Sequence, residues 1–287
     1  MNTAFLYRTS CDFPELLFYV LHEDILNMNR KETEMLAVLE EAERMAGEAI
    51  LTVYRSPVRV EHKADRSPVT DADRLSHEIL TAALKRNYAY PVLSEEGKSI
   101  EYDERRRWET FWLVDPLDGT KEFINGNGEF TVNAALIRGG VPVMGAIYVP
   151  VKDLLYYAFK GSGAYRIENG MTVRLPLRTE RKNFTVVGSR SYASREFEEY
   201  VRTIRARHED IAFVSAGSSL KFCLVAEGAA DLYPRLGTTM EWDTAAGQVI
   251  VEEAGGRVVE AGGNTPLRYN KADLRNPHFI AAKERTP

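Results

Sequence analysis

The pattern of apolar residues changes near residue 180, and this change constrains the fold more than any other feature of the chain. Before it, two β-rich runs at 130–137 and 141–149 are separated by Gly139-Gly140, which indicates a β-hairpin. After it, short strands predicted at 184–187 and 211–214 alternate with helical segments. A first half rich in antiparallel pairs and an alternating second half predict two α/β layers packed together.

Five longer helices are predicted from apolar spacing and from stop signals. Leu36, Leu39, Met45 and Ile50 recur at helical steps, which predicts an amphipathic helix of about five turns. The other four are expected at 72–85, 195–204, 218–227 and 243–254, and the last two end before glycines. We predict a leader at 1–31, an N-terminal α+β domain at 32–180 and a C-terminal α/β domain at 181–287. We further expect residues 1–27 to be dispensable, with Met28 or Met35 as the true start.

Composition excludes several classes of protein. The 287 residues carry a net charge of −5, which argues against a protein that coats nucleic acid. The two cysteines, Cys11 and Cys223, are too few for a disulfide framework and indicate a reducing compartment. No apolar run approaches the ~20 residues that span a bilayer. We therefore expect a globular cytoplasmic protein.

The segment Asp115-Pro-Leu-Asp-Gly-Thr120 carries the strongest chemical signal. A short apolar run at 111–114 predicts a buried strand that leads directly into two carboxylates three residues apart. A turn shaped by Pro116 and Gly119 can direct both side chains, and the carbonyl of Leu117, to one point. Mg²⁺ prefers such hard oxygen ligands. An ordinary turn rich in Asp, Pro and Gly is the alternative interpretation.

Three further acidic sites favour the metal interpretation. Glu95 and Glu96 follow an apolar run, and either can lie at a strand end. Asp243 directly precedes a predicted helix, where the alternative role is an N-cap. Asp73 stands three residues after Thr70, a spacing that fits a loose capping box. Four acidic sites at strand ends or helix starts predict a metal cluster.

These segments resemble the signatures of the inositol monophosphatase superfamily, in its order and spacing, over about residues 32–285. The chain is most similar within it to the bacterial 3′(2′),5′-bisphosphate nucleotidases, because Lys121-Glu122 follows Asp-Gly-Thr, where an inositol-type enzyme more often has Thr-Asn. The segments that carry the resemblance are Lys63-Ala-Asp-Arg-Ser-Pro-Val-Thr-Asp-Ala-Asp73, Leu93-Ser-Glu-Glu96, Trp112-Leu-Val-Asp-Pro-Leu-Asp-Gly-Thr-Lys-Glu-Phe123, Asn127-Gly-Glu-Phe-Thr-Val-Asn133, Gly188-Ser-Arg-Ser191, Tyr233-Pro-Arg235 and Glu241-Trp-Asp-Thr-Ala-Ala-Gly247.

The resemblance implies a layered α/β/α/β/α fold and a set of site residues. It implies roughly two or three Mg²⁺ ions, with Asp115 bridging two of them. Asp73 and Thr120 would activate the attacking water with help from Glu95, and the backbone of Gly119 and Thr120 would hold the scissile phosphate. The implied metal ligands are Glu95, Asp115, the Leu117 carbonyl, Asp118 and Asp243; the further candidates for substrate binding are Lys121, Arg190, Ser218, Ser219 and Arg235.

The reaction implied is removal of the 3′-phosphate of adenosine 3′,5′-bisphosphate, with 3′-phosphoadenylyl sulfate as a further substrate and inhibition by Li⁺. The rival activities are those of an inositol monophosphatase or a fructose 1,6-bisphosphatase, and a nucleotide-binding protein without catalysis is a rival of another class. The expected partner is a small phosphorylated nucleotide rather than a nucleic acid polymer. The resemblance leaves open a homodimer and weak attachment to the cytoplasmic face of the inner membrane.

Overall fold

The computed structural model describes residues 28–56, 60–63, 68–177, 183–189, 195–208 and 210–283. Residues 1–27 of the predicted leader at 1–31 lie outside this set, whereas Arg30 and Lys31 belong to a helix. Both predicted starts, Met28 and Met35, are among the described residues. The fold is built from two sheets separated and flanked by helices.

The larger sheet has seven strands and comes entirely from the first part of the chain. Its order is β3-β4-β5-β6-β7-β8-β9, and every neighbouring pair is antiparallel except β3 and β4. The hairpin predicted at Gly139-Gly140 is confirmed, and both glycines have positive φ values of 57° and 73°. The strands are β3 (Val92–Ser94), β4 (Thr110–Asp118), β5 (Thr131–Arg138), β6 (Val141–Val149), β7 (Leu154–Phe159), β8 (Gly163–Glu168) and β9 (Met171–Arg174).

Two long helices cover the outer face of this sheet. Helix α1 (Arg30–Tyr54) and helix α2 (Asp71–Asn87) bury Leu39, Ile50 and Leu80 against Trp112 of β4. Helix α1 is longer than predicted because Asn29 caps its first turn, where the Asn29 side chain and Glu32 bond each other's backbone N–H. A two-stranded ribbon, β1 (Val60–His62) and β2 (Pro68–Thr70), precedes α2.

The smaller sheet has five strands in the order β11-β10-β12-β14-β13. Strands β11 and β12 run parallel to β10, whereas β14 is antiparallel to β12 and β13. The elements are β10 (Phe184–Gly188), β11 (Ile211–Ser215), β12 (Leu232–Arg235), β13 (Gly256–Glu260), β14 (Phe279–Lys283), α5 (Arg195–Arg205), α6 (Leu220–Glu227) and α7 (Ala245–Glu253).

Helices α6 and α7 lie between the two sheets and bury side chains against both. One continuous apolar cluster joins Leu113 and Ile147 of the larger sheet to Phe222 of α6, Ile250 of α7 and Phe279 of the smaller sheet. Helix α5 packs its Ile204 on the far face of the smaller sheet. The layers therefore follow the order α/β/α/β/α, which confirms the predicted fold class.

The structure corrects the two helix starts nearest the predicted site. Helix α6 begins at Leu220 rather than at residue 218, because Ser218 has a left-handed φ of 44°. Helix α7 begins at Ala245, because residues 241–243 form a 3₁₀ turn, so Asp243 is not the N-cap of that helix. Short elements were missed because they show no periodicity: β1, β2, β3, β8, β9, β12, and the helices α3 (Tyr102–Arg105) and α4 (Thr120–Ile124).

The predicted domain boundary at residues 180/181 stays a prediction. The two sheets use separate stretches of chain, but the apolar cluster between them is shared. Within the described residues, no helix combines the length and the apolar character needed to cross a membrane.

We predict that Gly145→Ala destabilises the fold. A Cβ at Gly145 would lie 2.7 Å from the Cα of Ala246, so β6 and α7 would have to separate. The free energy of unfolding in urea should fall by about 1–3 kcal/mol. Gly263→Ala is the control, because its Cβ would meet nothing closer than 3.9 Å. Equal stability of the two variants would contradict the close packing of α7.

Candidate active site

A β-bulge in β4 turns two carboxylates toward the layer between the sheets. Asp115 pairs with Asn133 of β5 and Asp118 pairs with Thr131, so three steps on β4 face two steps on β5. A bulge of this kind bends its strand and redirects side chains. Gly119 follows with a φ of 91°, and α4 begins at Thr120. The predicted strand followed by a carboxylate turn is present, and it lies inside a longer strand.

Three carboxylates from different elements converge at this turn. Glu95 follows β3 directly, Asp115 is on β4, and Asp243 ends the 3₁₀ turn before α7; one carboxylate oxygen from each lies within 4.8 Å of the others. Asp118 lines the same cavity as Glu95 and Asp243. The structure thus brings together the four carboxylates predicted to bind metal, although their roles stay predictions.

Burial and mutual repulsion shape the electrostatics of this cluster. Asp115 is 1% exposed, and burial together with the charges of Glu95 and Asp118 raises its pKa well above the usual range. Burial and the nearby Asp118 also raise the pKa of Asp243. Several ionised carboxylates this close are unfavourable without a compensating cation. Hard oxygen donors in this number fit Mg²⁺, so the residues present match the predicted metal.

Lys63 places one positive charge beside this cluster. Its Nζ donates to Glu95 Oε1 at 2.9 Å and also to Glu96. Neither Asp115 nor Asp243 has a hydrogen bond or ion pair with a cationic side chain of the described residues. Among the described residues, Asp115 accepts the N–H of Leu117, and Asp243 accepts the N–H of Met240. The charge of Arg235 acts on Asp243 without a hydrogen bond between them in this part of the chain.

Asp73 and Thr120 form a hydrogen-bonded pair at the rim of the cluster. Thr120 Oγ1 donates to Asp73 Oδ1 at 3.2 Å, while Asp73 Oδ2 accepts the Thr70 N–H at 2.7 Å and the Thr70 hydroxyl at 2.6 Å. The predicted capping box at Thr70 is therefore present, and it fixes the carboxylate that faces Thr120. Burial raises the pKa of Asp73, which strengthens it as a proton acceptor.

The same cavity has a cationic side. Its volume is about 450 Å³, and its wall includes Lys221 and Arg235 in addition to the carboxylates. Lys221 is 4% exposed, and burial lowers its pKa to about 8. Its Nζ donates to the carbonyl of Ser218 at 2.6 Å. A cavity lined by cations as well as by a carboxylate cluster that can hold metal suits a ligand with more than one anionic group.

The other predicted substrate residues are placed as follows. Gly119, Thr120, Lys121, Ser218 and Ser219 line the cavity. Leu117 is not among the residues that line the cavity, and its carbonyl oxygen lies 3.4 Å from Thr120 Oγ1. Arg190 lies outside the described residues.

Two charged residues of the cavity wall were not singled out from the sequence. Lys221 is the only cation of the apolar helix α6. Because charged residues are rarely buried without a partner, a lysine in an otherwise apolar helix indicates a candidate functional residue. Glu122 also lines the cavity and packs against Gly217, where a Cβ would lie 2.6 Å from Glu122 Cγ. It was noted as part of the resemblance but was not assigned to the site.

Glu241 fixes the turn that carries Asp243. Its side chain is fully buried and accepts the backbone N–H groups of Asn270 and Lys271 at 2.6 and 3.0 Å, together with Lys271 Nζ at 2.6 Å. Its backbone N–H donates to the carbonyl of Leu274 at 2.9 Å. The segment 270–274 thereby holds the 3₁₀ turn in place, and the turn contacts β4 and β5 of the larger sheet.

Comparison with known proteins identifies the class. Residues 31–286 match the model of the inositol monophosphatase family, and the chain belongs to this family. The family is metal-dependent, typically with Mg²⁺, and the acidic cluster of this chain provides a site of suitable chemistry.

Particular relatives in this family are similar over most of their length. The chain is 46% identical over 240 residues to the 3′(2′),5′-bisphosphate nucleotidase CysQ of Escherichia coli (strain K12), covering 82% of this chain and 94% of that protein. It is 41% identical over 267 residues to the CysQ protein of Buchnera aphidicola subsp. Acyrthosiphon pisum (strain APS), covering 91% and 97%. The crystal structure of CysQ from Bacteroides thetaiotaomicron matches with a TM-score of 0.81 and 48% identity, covering 88% and 98%.

We predict that Lys271→Met lowers the free energy of unfolding by about 1–3 kcal/mol, because it removes the cation from the buried Glu241 carboxylate. Urea unfolding monitored by circular dichroism measures the change. Arg275→Met is the matched control, since its ion pair with Asp273 in the same segment is exposed. The two variants unfolding at the same urea concentration would contradict the role given to Glu241.

Proposed function

We propose that the protein is a Mg²⁺-dependent phosphomonoesterase that removes the 3′-phosphate of adenosine 3′,5′-bisphosphate and yields AMP and phosphate. One observation carries this proposal: a single cavity is lined by carboxylates of the acidic cluster and by the buried Lys221 together with Arg235. The CysQ relatives, which are 46% and 41% identical over most of the chain, support the nucleotide as the substrate.

The metal would be held by Glu95, Asp115, Asp118 and Asp243, with the Leu117 carbonyl as a further ligand. When bound, Mg²⁺ neutralises phosphate oxygens and makes a water more acidic. We propose roughly two or three ions, since sites with two ions act on both the attacking and the leaving oxygen. The chain itself supplies the carboxylates that position these charges.

Asp73 and Thr120 would move the proton of the attacking water. The Thr120 hydroxyl donates a hydrogen bond to Asp73 Oδ1, so the lone pairs of its oxygen can accept a proton from the attacking water. As the water attacks phosphorus, Thr120 Oγ1 accepts that proton and passes its own to Asp73 Oδ1. The bond between phosphorus and the 3′ oxygen breaks, and the 3′ oxygen takes a proton from solvent water. Asp73 then returns its proton to the solvent. Gly119 and Thr120, which line the cavity, would hold the scissile phosphate.

The second phosphate would bind at the cationic side of the cavity. Lys221 and Arg235 line it directly, and Lys121 and Ser218 lie on its wall. A buried ammonium bonds an anion strongly because little water competes for either group. Arg190 stays a predicted member of this group.

Three finer predictions belong to this proposal and stay predictions: inhibition by Li⁺, a homodimer, and a cytoplasmic location with weak attachment to the membrane face. The small phosphorylated substrate agrees with the family. The proposal does not depend on these three.

Phosphate release from three substrates tests the proposed activity. Adenosine 3′,5′-bisphosphate, inositol 1-phosphate and fructose 1,6-bisphosphate would each be assayed with Mg²⁺, with EDTA and with Mg²⁺ plus Li⁺. We expect the nucleotide to be preferred and its hydrolysis to stop in EDTA. Preference for inositol phosphate or the sugar bisphosphate would overturn the substrate. Release from none of them would favour a binding protein without catalysis.

We predict that Asp118→Asn lowers kcat at least about 100-fold, because it removes a charged metal ligand. The amide oxygen can still accept the Ser219 hydroxyl, so the thermal unfolding midpoint should change little. Asp103→Asn, which changes an exposed carboxylate of α3, is the control and should keep the full rate. An unchanged rate for Asp118→Asn would refute the metal assignment.

We predict that kcat/KM for adenosine 3′,5′-bisphosphate falls as pH rises through about 8, where the Lys221 ammonium of the free enzyme loses its proton. Below this pH the ammonium is charged and attracts the 5′-phosphate; above it the side chain is neutral. Adenosine 3′-monophosphate lacks the 5′-phosphate and should not show this fall. The same pH profile for both substrates would contradict the role of Lys221.

A further inference from the structure

Ser219 lies at the start of α6, a position where a serine hydroxyl usually accepts a backbone N–H of the helix. Here the hydroxyl makes no such cap. Ser219 Oγ lies 2.7 Å from Asp118 Oδ2 and 2.9 Å from the carbonyl of Asp243. It therefore contacts two of the chain segments that bring acidic residues into the site, one from each half of the molecule.

Asn133 determines which way this hydroxyl donates. Asn133 Nδ2 donates to Ser219 Oγ at 3.0 Å, and both residues are buried, with exposures of 1% and 2%. A hydroxyl has one proton and two lone pairs. Because Asn133 occupies a lone pair, the proton of Ser219 is left for Asp118 or for the Asp243 carbonyl. The carboxylate is the stronger acceptor and the nearer one.

The opposite orientation of the Asn133 amide is unfavourable. If its oxygen faced Ser219, the serine would donate to Asn133 and turn its lone pairs toward Asp118 Oδ2 at 2.7 Å. Two acceptors at that distance repel each other. In the favoured orientation Asn133 Oδ1 has no hydrogen-bond partner among the described residues. Burying this oxygen without a partner costs free energy, whereas the Nδ2 group of the same amide orients the Ser219 hydroxyl.

We propose that Asn133 and Ser219 are positioning residues for Asp118: Asn133 orients the Ser219 hydroxyl, and that hydroxyl holds Asp118 Oδ2 so that the other carboxylate oxygen faces the metal site. This inference rests on the proposed function, because it gives a purpose to the orientation of a metal ligand. The Ser219 hydroxyl is committed to Asp118, so an anion bound at Ser219 would be received by its backbone N–H, which stays a prediction.

Magnesium binding to metal-free protein, measured by titration calorimetry without substrate, tests the proposal. Ser219→Ala should weaken Mg²⁺ binding about tenfold, as loss of a hydrogen bond to a metal ligand typically does. Asn133→Ala should weaken it by a similar factor. The double variant should be no weaker than the weaker single variant, because both substitutions remove the same support.

Thr131→Val is the matched control. Thr131 stands on the same strand and opposite Asp118, and its buried Oγ1 has no hydrogen-bond partner among the described residues. Its Mg²⁺ affinity should equal that of the unaltered protein. A tenfold loss in this variant would show that any change on β5 disturbs the site, and it would overturn the specific role of Asn133.

Steady-state kinetics separates positioning from anion binding. At saturating Mg²⁺ the Ser219→Ala variant should keep the KM of the unaltered enzyme for adenosine 3′,5′-bisphosphate. A raised KM with unchanged Mg²⁺ affinity would overturn the proposal and restore Ser219 as an anion receiver. Asp118→Asn separates a failure of the proposed metal site from a failure of the positioning role. If this variant binds Mg²⁺ like the unaltered protein, the proposed metal site itself is wrong, whatever the result for Ser219.

Discussion

Repulsion among buried carboxylates is the constraint on which the rest of this structure depends. Asp115 and Asp243 lie within 4.8 Å of each other and of Glu95, and burial raises the pKa of both aspartates. An apolar interior alone would separate such groups or keep them protonated. The fold holds them in place through a bulge in β4 and through the buried Glu241, which begins the 3₁₀ turn and accepts hydrogen bonds from the segment after residue 269. Divalent cations are the natural compensation for this arrangement.

The layered architecture explains how acidic residues from both halves of the chain can meet. The larger sheet supplies Asp115, and the segment before α7 supplies Asp243. Helix α7 approaches the sheet closely enough that a Cβ at Gly145 would clash with its backbone. Because the two halves share one apolar core, the distance between their carboxylates is set by packing and not by flexible loops. Small changes in that packing would therefore alter the site.

Much of the fold, and the composition of the acidic cluster, could be predicted from the sequence. The hairpin at residues 139–140 and the capping box at Thr70 depend on local backbone preferences, and such preferences can be predicted from one sequence. The place of Lys221 on the cavity wall was not predicted: its lone charge in an apolar helix was visible in the sequence, but the cavity beside it is formed only by the tertiary structure. The hydrogen bond from Asn133 to Ser219 joins residues 86 positions apart, and no sequence pattern specifies such a pairing. Helix starts near the site were misplaced for a related reason, since Ser218 adopts a backbone conformation that serine rarely takes.

A crystal structure of the protein with Mn²⁺, examined for anomalous scattering, tests the central claim most directly. Mn²⁺ accepts the same oxygen ligands as Mg²⁺ and can be located without assumptions about the protein. The account predicts anomalous peaks inside the carboxylate cluster, with Asp115 in contact with more than one ion. Peaks only at surface carboxylates, or a cluster that holds no ion at saturating Mn²⁺, would contradict it.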